Sequence, residues 1–278
     1  MKPYLELMRV GNCAMAAIAV LIGYTIITFD FSIGAGIAML SAFLICGAGQ
    51  AINDVFDYNI DKKINKSKPI PSGKISKKNA SIFSIALFLV GILLAFFINP
   101  LTFTIAIIFS ILLILYAAIL YKVKYIGNII VAAGTAFTFI YGASVTESIP
   151  LLIIVFAMSA FFANMSREIT KDFQDLKKDK GFKKTLPMIS KRLGKGFVIG
   201  YHLLAILFAL VAFIFFLPEN FVYLFFVLLA TITFGRSVRL LLKNDFKQSQ
   251  KGCKKGMLFS LLAYVSAIIK WLIWLKLL

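Results

Sequence analysis

Runs of about twenty apolar residues recur along almost the whole of this 278-residue chain, and nothing constrains its fold more. Crossing roughly 30 Å of hydrocarbon takes about 20 residues of helix. Nine segments qualify, near 10–28, 32–54, 80–98, 101–121, 125–143, 149–166, 196–217, 220–241 and 257–276. In lipid every backbone N–H and C=O must be satisfied within the protein, which leaves helices and closed barrels as the spanning structures. The runs lack the two-residue alternation of barrel strands. They therefore predict an all-α, polytopic membrane protein of nine transmembrane helices. A composition 60% hydrophobic, with 28 Phe, excludes an ordinary soluble domain.

The charges orient this bundle. Lys2 and Arg9, the segment 62–78, Lys122 and Lys124, the segment 167–195 and the segment 236–255 all fall on one side if nine spans alternate. The opposite connections, near Asp30, Asn99, Glu147 and Glu219, carry no Lys or Arg, so the positive-inside rule makes the N-terminus and the long loops cytoplasmic. A formal net charge of +18 is accounted for by this topology and by anionic lipid, which makes membrane lipids, and not nucleic acid, the partner of the basic face. The apolar stretch after Arg9 is long and lacks a small-residue cleavage site, so it reads as a retained span. The chain forms a single transmembrane domain, 1–278, with polar cytoplasmic insertions near 56–79 and 167–196. Cys13, Cys46 and Cys253 are scattered without metal-ligand spacing. The basic 242–256 connection reads as a solvated topology signal.

Two acidic stripes interrupt the apolar pattern on the cytoplasmic side. Asn53, Asp54, Asp57 and Asp61 form the first; Glu168, Asp172, Asp175 and Asp179 form the second. Steps of three and four residues place each set along one helical face. Like charges stacked in this way destabilise a helix unless a cation neutralises them. Mg²⁺ is the natural candidate, a hard ion that accepts carboxylate oxygens and completes its shell with substrate phosphates. A diphosphate bridging two metal-loaded stripes explains why there are two. The competing account, simple pairing with Lys62, Lys171, Lys177 or Lys178, is weakened by the match between the stripes.

Phosphate oxygens beyond reach of the metal require cations. Arg9, Lys68, Lys122 and Lys171 stand at helix ends facing such a site, with Arg167, Lys66, Lys74 and Lys124 on the same side. Asn12, Asn53, Asn128 and Asn164, near the cytoplasmic ends of spans, serve either a substrate or helix packing. His202 stands alone in a span and receives no catalytic role. No motif marks a general base or an oligomeric state.

Assembled, these residues resemble the UbiA superfamily of intramembrane prenyltransferases. The likeness runs through RVGN at 9–12, NDVFDYNID at 53–61, PIPSG at 69–73, Gly127–Asn128, REITKDFQDLKKD at 167–179 and KTLP at 184–187. The resemblance implies nine helices around a central cavity, a requirement for Mg²⁺ and a prenyl diphosphate donor. Carried over, Asn53, Asp57 and Asp61 belong to the first motif and Asp172, Asp175 and Asp179 to the second, with Asp57, Asp61, Asp175, Asp179 and Lys171 acting on the departing diphosphate. The segments ELMRVGN, INK…PIPSGKIS and REITKDFQD point to the archaeal ether-lipid branch. That branch moves a geranylgeranyl group from its diphosphate to the free hydroxyl of geranylgeranylglyceryl phosphate, a phosphorylated lipid acceptor. Lys66 and Lys68 stand where arginines are common, and Lys177–Lys178 where an acid or glycine is frequent; a lysine keeps the charge but loses the bidentate fork.

Two other functions fit the same residues less well. An aromatic, quinone-precursor acceptor would use identical donor chemistry. A cation-coupled transporter would use intramembrane carboxylates as an ion path, but here the acids gather at one face and do not form a relay.

Overall fold

The computed structural model describes residues 2–119, 125–179 and 184–275, with the side chains of residues 64, 177–179 and 269–275 outside the description. Every regular element among these residues is helical. A short helix, α1 (Lys2–Met8), turns through Arg9 into α2 (Val10–Thr28). Then come α3 (Ile33–Phe56), α4 (Tyr58–Ile64), α5 (Lys77–Phe96), α6 (Pro100–Ala118), α7 (Ile126–Ser144) and α8 (Leu151–Asp179). The chain closes with α9 (Leu186–Ile189), α10 (Lys191–Phe216), α11 (Phe221–Leu242) and α12 (Phe246–Leu275).

Local chemistry sets several of these boundaries. Side-chain oxygens of Ser32, Ser76, Asn99, Ser190 and Asn220 accept backbone N–H groups at the starts of α3, α5, α6, α10 and α11, which satisfies donors that have no partner inside a helix. Pro100 opens α6, where its missing N–H costs nothing.

Eight helices among the described residues are long and apolar enough to cross a membrane: α2, α3, α5, α6, α7, α8 through Leu176, α10 and α11. They correspond in order to the first eight expected spans, and the protein is a multi-pass membrane protein. The ninth expected span, 257–276, falls in the second half of α12, and residue 276 lies outside the described residues. The structure corrects the reading of 242–256 as a loop. Helix begins at Phe246, because Phe246 stacks on Phe173 of α8 with ring centroids 5.0 Å apart and Cys253 is fully buried, so one face of the basic segment is apolar and packed. It also divides the first acidic stripe, which reads as one continuous helical face, into two helices that meet at Asp57.

Large apolar side chains such as Leu89, Phe96, Phe215 and Ile232 are exposed, the outward arrangement of a protein solvated by lipid. Inside, Phe156 stacks on Tyr264 at 4.3 Å, and Phe139 meets the same ring edge-on at 5.4 Å, joining α7, α8 and α12 in the largest core. The helices α2 and α7 approach closely through two glycines. A β-carbon on Gly23 would strike the Phe139 carbonyl oxygen, and one on Gly142 the Val20 carbonyl oxygen. In lipid, such backbone proximity is a main source of helix association.

Because backbone cannot yield as a side-chain tip does, Gly142→Val should lower the melting temperature in detergent by roughly 4–10 °C. Gly196→Val, which meets nothing within 4 Å, should leave it unchanged; a thermal-shift comparison of the two variants checks this.

Candidate active site

A cavity of about 810 Å³ opens among α2, α3, α6, α7, α8 and α12. α5 backs α3, and α10 and α11 back α8 and α12. The deep part of the cavity is apolar, lined by Ile105, Phe109, Phe137, Phe139 and Leu261, and its polar end holds residues from both acidic stripes.

The first stripe is organised by cations from two other segments. Arg9 has left-handed backbone, with φ 52°, a conformation that a residue with a side chain rarely adopts. From that turn its guanidinium donates to Asp54 Oδ1 at 2.8 Å and to Gln50 Oε1. Lys68 Nζ donates to the same Asp54 oxygen at 3.0 Å and to Asp61 Oδ2 at 2.6 Å. The turn after Lys68 holds it there. Ser72 N–H bonds the Lys68 carbonyl at 3.0 Å and Ile75 N–H the Pro69 carbonyl at 3.2 Å. Gly73 supplies the φ of +76° that the turn requires, while Ile70 and Ile75 bury against Leu7, Ala51 and Val55. Asn53 Nδ2 donates to Asp57 Oδ2 at 2.9 Å. Asn53, Asp57, Asp61, Lys68 and Arg9 line the cavity; Asp54, 3% exposed, sits behind that wall as the shared anion of two cations.

The second stripe lies on the last turns of α8. Asp172 Oδ2 accepts from Asn128 Nδ2 of α7 at 2.8 Å. About two turns deeper, Asn164 is tied to α7 through the Val131 carbonyl and Thr135 Oγ1, and its own oxygen accepts Arg167 Nε at 2.8 Å. Arg167 also pairs with Glu168. Arg167, Glu168, Lys171, Asp172 and Asp175 all face the cavity, as does Asn12 from α2. Asp179 belongs to α8, but its carboxylate lies outside the described side chains, and Lys122 lies outside the described residues altogether.

Sequence reasoning passed over Gln50, Lys184, Thr185 and Lys254, which also line the cavity. Gln50 sits one turn before Asn53 and was legible as an extension of that face; Lys184 and Thr185 stood in the KTLP match. Lys254 carried no signal beyond its charge. Cys13 and Cys46, scattered in the sequence, are neighbours between α2 and α3, and the Cys13 thiol donates to the Met8 carbonyl at 3.2 Å. His202 is buried away from the cavity wall, bonded to Ser166 Oγ.

The profile of the UbiA prenyltransferase family matches residues 13–262. The chain belongs to this family. It is 40% identical to the digeranylgeranylglyceryl phosphate synthase of Methanococcoides burtonii, over 95% of this chain and 99% of that one. It is 39% identical to the enzyme of the same name from Methanococcus aeolicus, over 95% and 96%. A solved structure concerned with digeranylgeranylglyceryl phosphate synthase in membranes superposes with a TM-score of 0.81 at 32% identity, covering 97% of this chain and 98% of that one. A UbiA homologue from Archaeoglobus fulgidus, solved bound to GPP and Mg²⁺, shares the fold with a TM-score of 0.71 at 20% identity, over 96% and 99%. The archaeal lipid-synthase likeness read from the motifs therefore extends over nearly the full chain.

Electrostatics in this prenyltransferase fit a cation between the stripes. Burial first, and then the neighbouring Asp61 and Asp54 charges, push the Asp57 carboxyl above the usual carboxylate range, against the opposing pull of Lys68. Asp61 is raised as well, chiefly by burial, although Lys68 works the other way. Among the described residues no three acid, cysteine or histidine side chains form a ready-made metal cage. What faces the cavity is a set of oxygen donors on two opposed walls, Asn53, Asp57 and Asp61 against Asp172 and Asp175. That set suits a hard ion whose remaining ligands are water and phosphate.

A carboxyl with a raised pKa binds protons more tightly in the folded chain than in the unfolded one. Metal-free stability therefore falls as pH rises through that raised range. A cation that binds the ionised form offsets the loss, so added Mg²⁺ should raise the melting temperature more at pH 7 than at pH 5. Asp57→Asn should shrink that difference, as read by thermal shift across a pH series.

Proposed function

We propose that this enzyme transfers a geranylgeranyl group from geranylgeranyl diphosphate to the free hydroxyl of geranylgeranylglyceryl phosphate, with Mg²⁺ held by the two acidic stripes. The observation that carries the reading is the convergence of both stripes on one cavity whose depth is apolar, in a chain 40% identical to named synthases of this lipid. The Archaeoglobus fulgidus relative binds GPP and Mg²⁺ on the same fold, which supports a prenyl diphosphate and a divalent ion here.

In this reading the metal supplies Lewis acidity toward the diphosphate oxygens. Asn53, Asp57 and Asp61 would hold it from one wall and Asp172 and Asp175 from the other, with Asp179 assigned to the same set by its motif. Asp54 acts through Arg9 and Lys68, fixing both cations where they meet the diphosphate; Lys171 and Lys122 add charge from α8 and from the segment before α7. Positioned positive charge stabilises the departing diphosphate most as it gains electrons. The allylic C–O bond breaks with its electron pair leaving on diphosphate, the acceptor oxygen bonds to the allylic carbon, and the hydroxyl proton is released. Asn12, Asn128 and Arg167 orient the substrates' polar ends, while the Phe-lined depth excludes water and accommodates the polyprenyl chain. The N-terminus and the acidic helix ends face the cytoplasm, where soluble diphosphate is released, and residues 1–278 act as one domain.

Purified protein given geranylgeranyl diphosphate should prenylate geranylgeranylglyceryl phosphate in the presence of Mg²⁺ and stop on chelation. With 4-hydroxybenzoate as acceptor, product should be absent; aromatic product alone would move the enzyme to the quinone-precursor branch. Asp57→Asn and Asp175→Asn should each lower kcat at least about 100-fold without changing expression or membrane insertion, and full activity in both would remove the metal assignment.

A further inference from the structure

The proposed reaction brings two anionic groups into one cavity, and the residues above account for only one of them. Among the described lining residues there are six Lys and Arg side chains and five carboxylates. Three of the cations are already engaged: Arg9 and Lys68 with Asp54 and Asp61 beside the first stripe, where the donor diphosphate belongs, and Arg167 with its neighbour Glu168. A phosphomonoester on the acceptor is a second, separate anion of up to two charges, and it requires cations of its own.

Such cations stand on the α8–α12 wall. α12 presents Lys254, Met257, Leu258 and Leu261 to the cavity, a spacing of three, four and seven residues that defines one helical face. Lys254 is the charged member of that face and lies at its polar end; the other three continue as an apolar track. Leu258 is half exposed, as is Met15, which faces the cavity from α2. That track suits a lipid tail attached to a head group at Lys254.

The backbone from which Lys254 extends is held in place. Its neighbour Cys253 is fully buried, with its thiol 3.1 Å from Ser237 Oγ, 3.8 Å from Thr170 Oγ1 and 3.7 Å from His202 Nε2. Ser237 Oγ also donates to the Ser249 carbonyl at 2.7 Å. His202 in turn bonds Ser166 Oγ at 2.9 Å. These contacts lock the start of α12 to α8, α10 and α11 at the level of Thr170, one turn from Arg167. Arg167 is fixed independently by Asn164, itself 2% exposed. Thr170, one turn from Arg167 on α8, meets Cys253 beside Lys254, and both Arg167 and Lys254 line the cavity on this wall. Lys254 makes no ion pair among the described residues, whereas Lys68 makes two.

We propose that Lys254, with Arg167, forms the subsite for the phosphomonoester of the acceptor lipid, separate from the metal-bound diphosphate site, and so sets the preference for a phosphorylated acceptor. This assignment rests on the reaction proposed above and adds to it a residue and a place for the second anion. The buried polar network around Cys253 and His202 then has a purpose consistent with its location away from the cavity: it fixes the helix start from which Lys254 extends.

The test uses the full chain with geranylgeranyl diphosphate and Mg²⁺, and compares geranylgeranylglyceryl phosphate with the same lipid lacking its phosphate. Lys254→Ala should raise KM for the phosphorylated acceptor about 10- to 100-fold, the cost of one charge-assisted hydrogen bond. It should leave KM for geranylgeranyl diphosphate and for the unphosphorylated alcohol unchanged. Lys254→Arg should recover most of the loss, and Lys255→Ala, on an exposed position outside the cavity wall, should behave as wild type. An unchanged KM for the phosphorylated lipid in Lys254→Ala overturns the subsite, as does an equal loss with both acceptors or a rise in the donor KM. Wild-type protein unable to prenylate the phosphorylated lipid refutes the reaction itself, and the subsite with it; normal wild-type turnover beside an indifferent Lys254→Ala refutes the subsite alone.

Discussion

The arrangement depends on neutralising buried carboxylates at the polar end of a membrane-embedded cavity. An unpaired charge there would give up several kcal/mol of hydration, and the structure meets that cost before any ligand arrives. Asp54 is shared by Arg9 and Lys68, Asp61 is held by Lys68, Glu168 by Arg167, and Asp172 accepts from Asn128. Each cation comes from a different segment than the acid it serves, with the exception of the Arg167–Glu168 neighbours. The network therefore acts as a clasp as well as a counter-charge, tying the α1–α2 turn and the Pro69–Gly73 turn to α3 and α4.

Compensation is incomplete by design of the fold. Asp57 lines the cavity with its carboxylate bonded by Asn53, and that carboxyl is pushed upward by burial and by its acidic neighbours. A site of this kind is receptive to a cation without being collapsed around one. Behind it, the close α2–α7 crossing and the Phe156–Tyr264–Phe139 cluster pack the helices together away from the polar end. The same bundle thus supplies a charged mouth and an apolar depth, the two environments that a polyprenyl diphosphate needs at its two ends.

Family membership and this geometry agree on the class of chemistry, a prenyl transfer. They also account for why the transporter reading fails: the ionisable groups gather at one end of the cavity, and its depth is lined by Phe109, Phe137 and Phe139, which offer no relay for an ion.

Much was legible in the sequence, for a physical reason. Hydrocarbon imposes a minimum length and an apolar composition on each span, so the first eight spans could be read to within about five residues of their observed ends, except the sixth, which was ended at 166 and continues to Leu176. Helical periodicity likewise showed that each acidic set shares a face, because carboxylates three and four residues apart have no other way to converge. What periodicity could not give was pairing across the bundle. It did not reveal that Asp54 turns away from the cavity toward Arg9 and Lys68, that the first stripe breaks at Asp57, or that Cys13 lies against Cys46. It also took the basic stretch after α11 for a solvated loop, since one-dimensional charge density hides a buried face that exists only where Phe246 meets Phe173 and Cys253 meets Thr170. The sequence by itself determined the class of solvent, the number of apolar runs and the residue types available for chemistry, all of which follow from local composition and period. Tertiary structure alone decided which of those residues share a cavity, because contacts between distant helices depend on backbone approach and side-chain packing that no local pattern encodes.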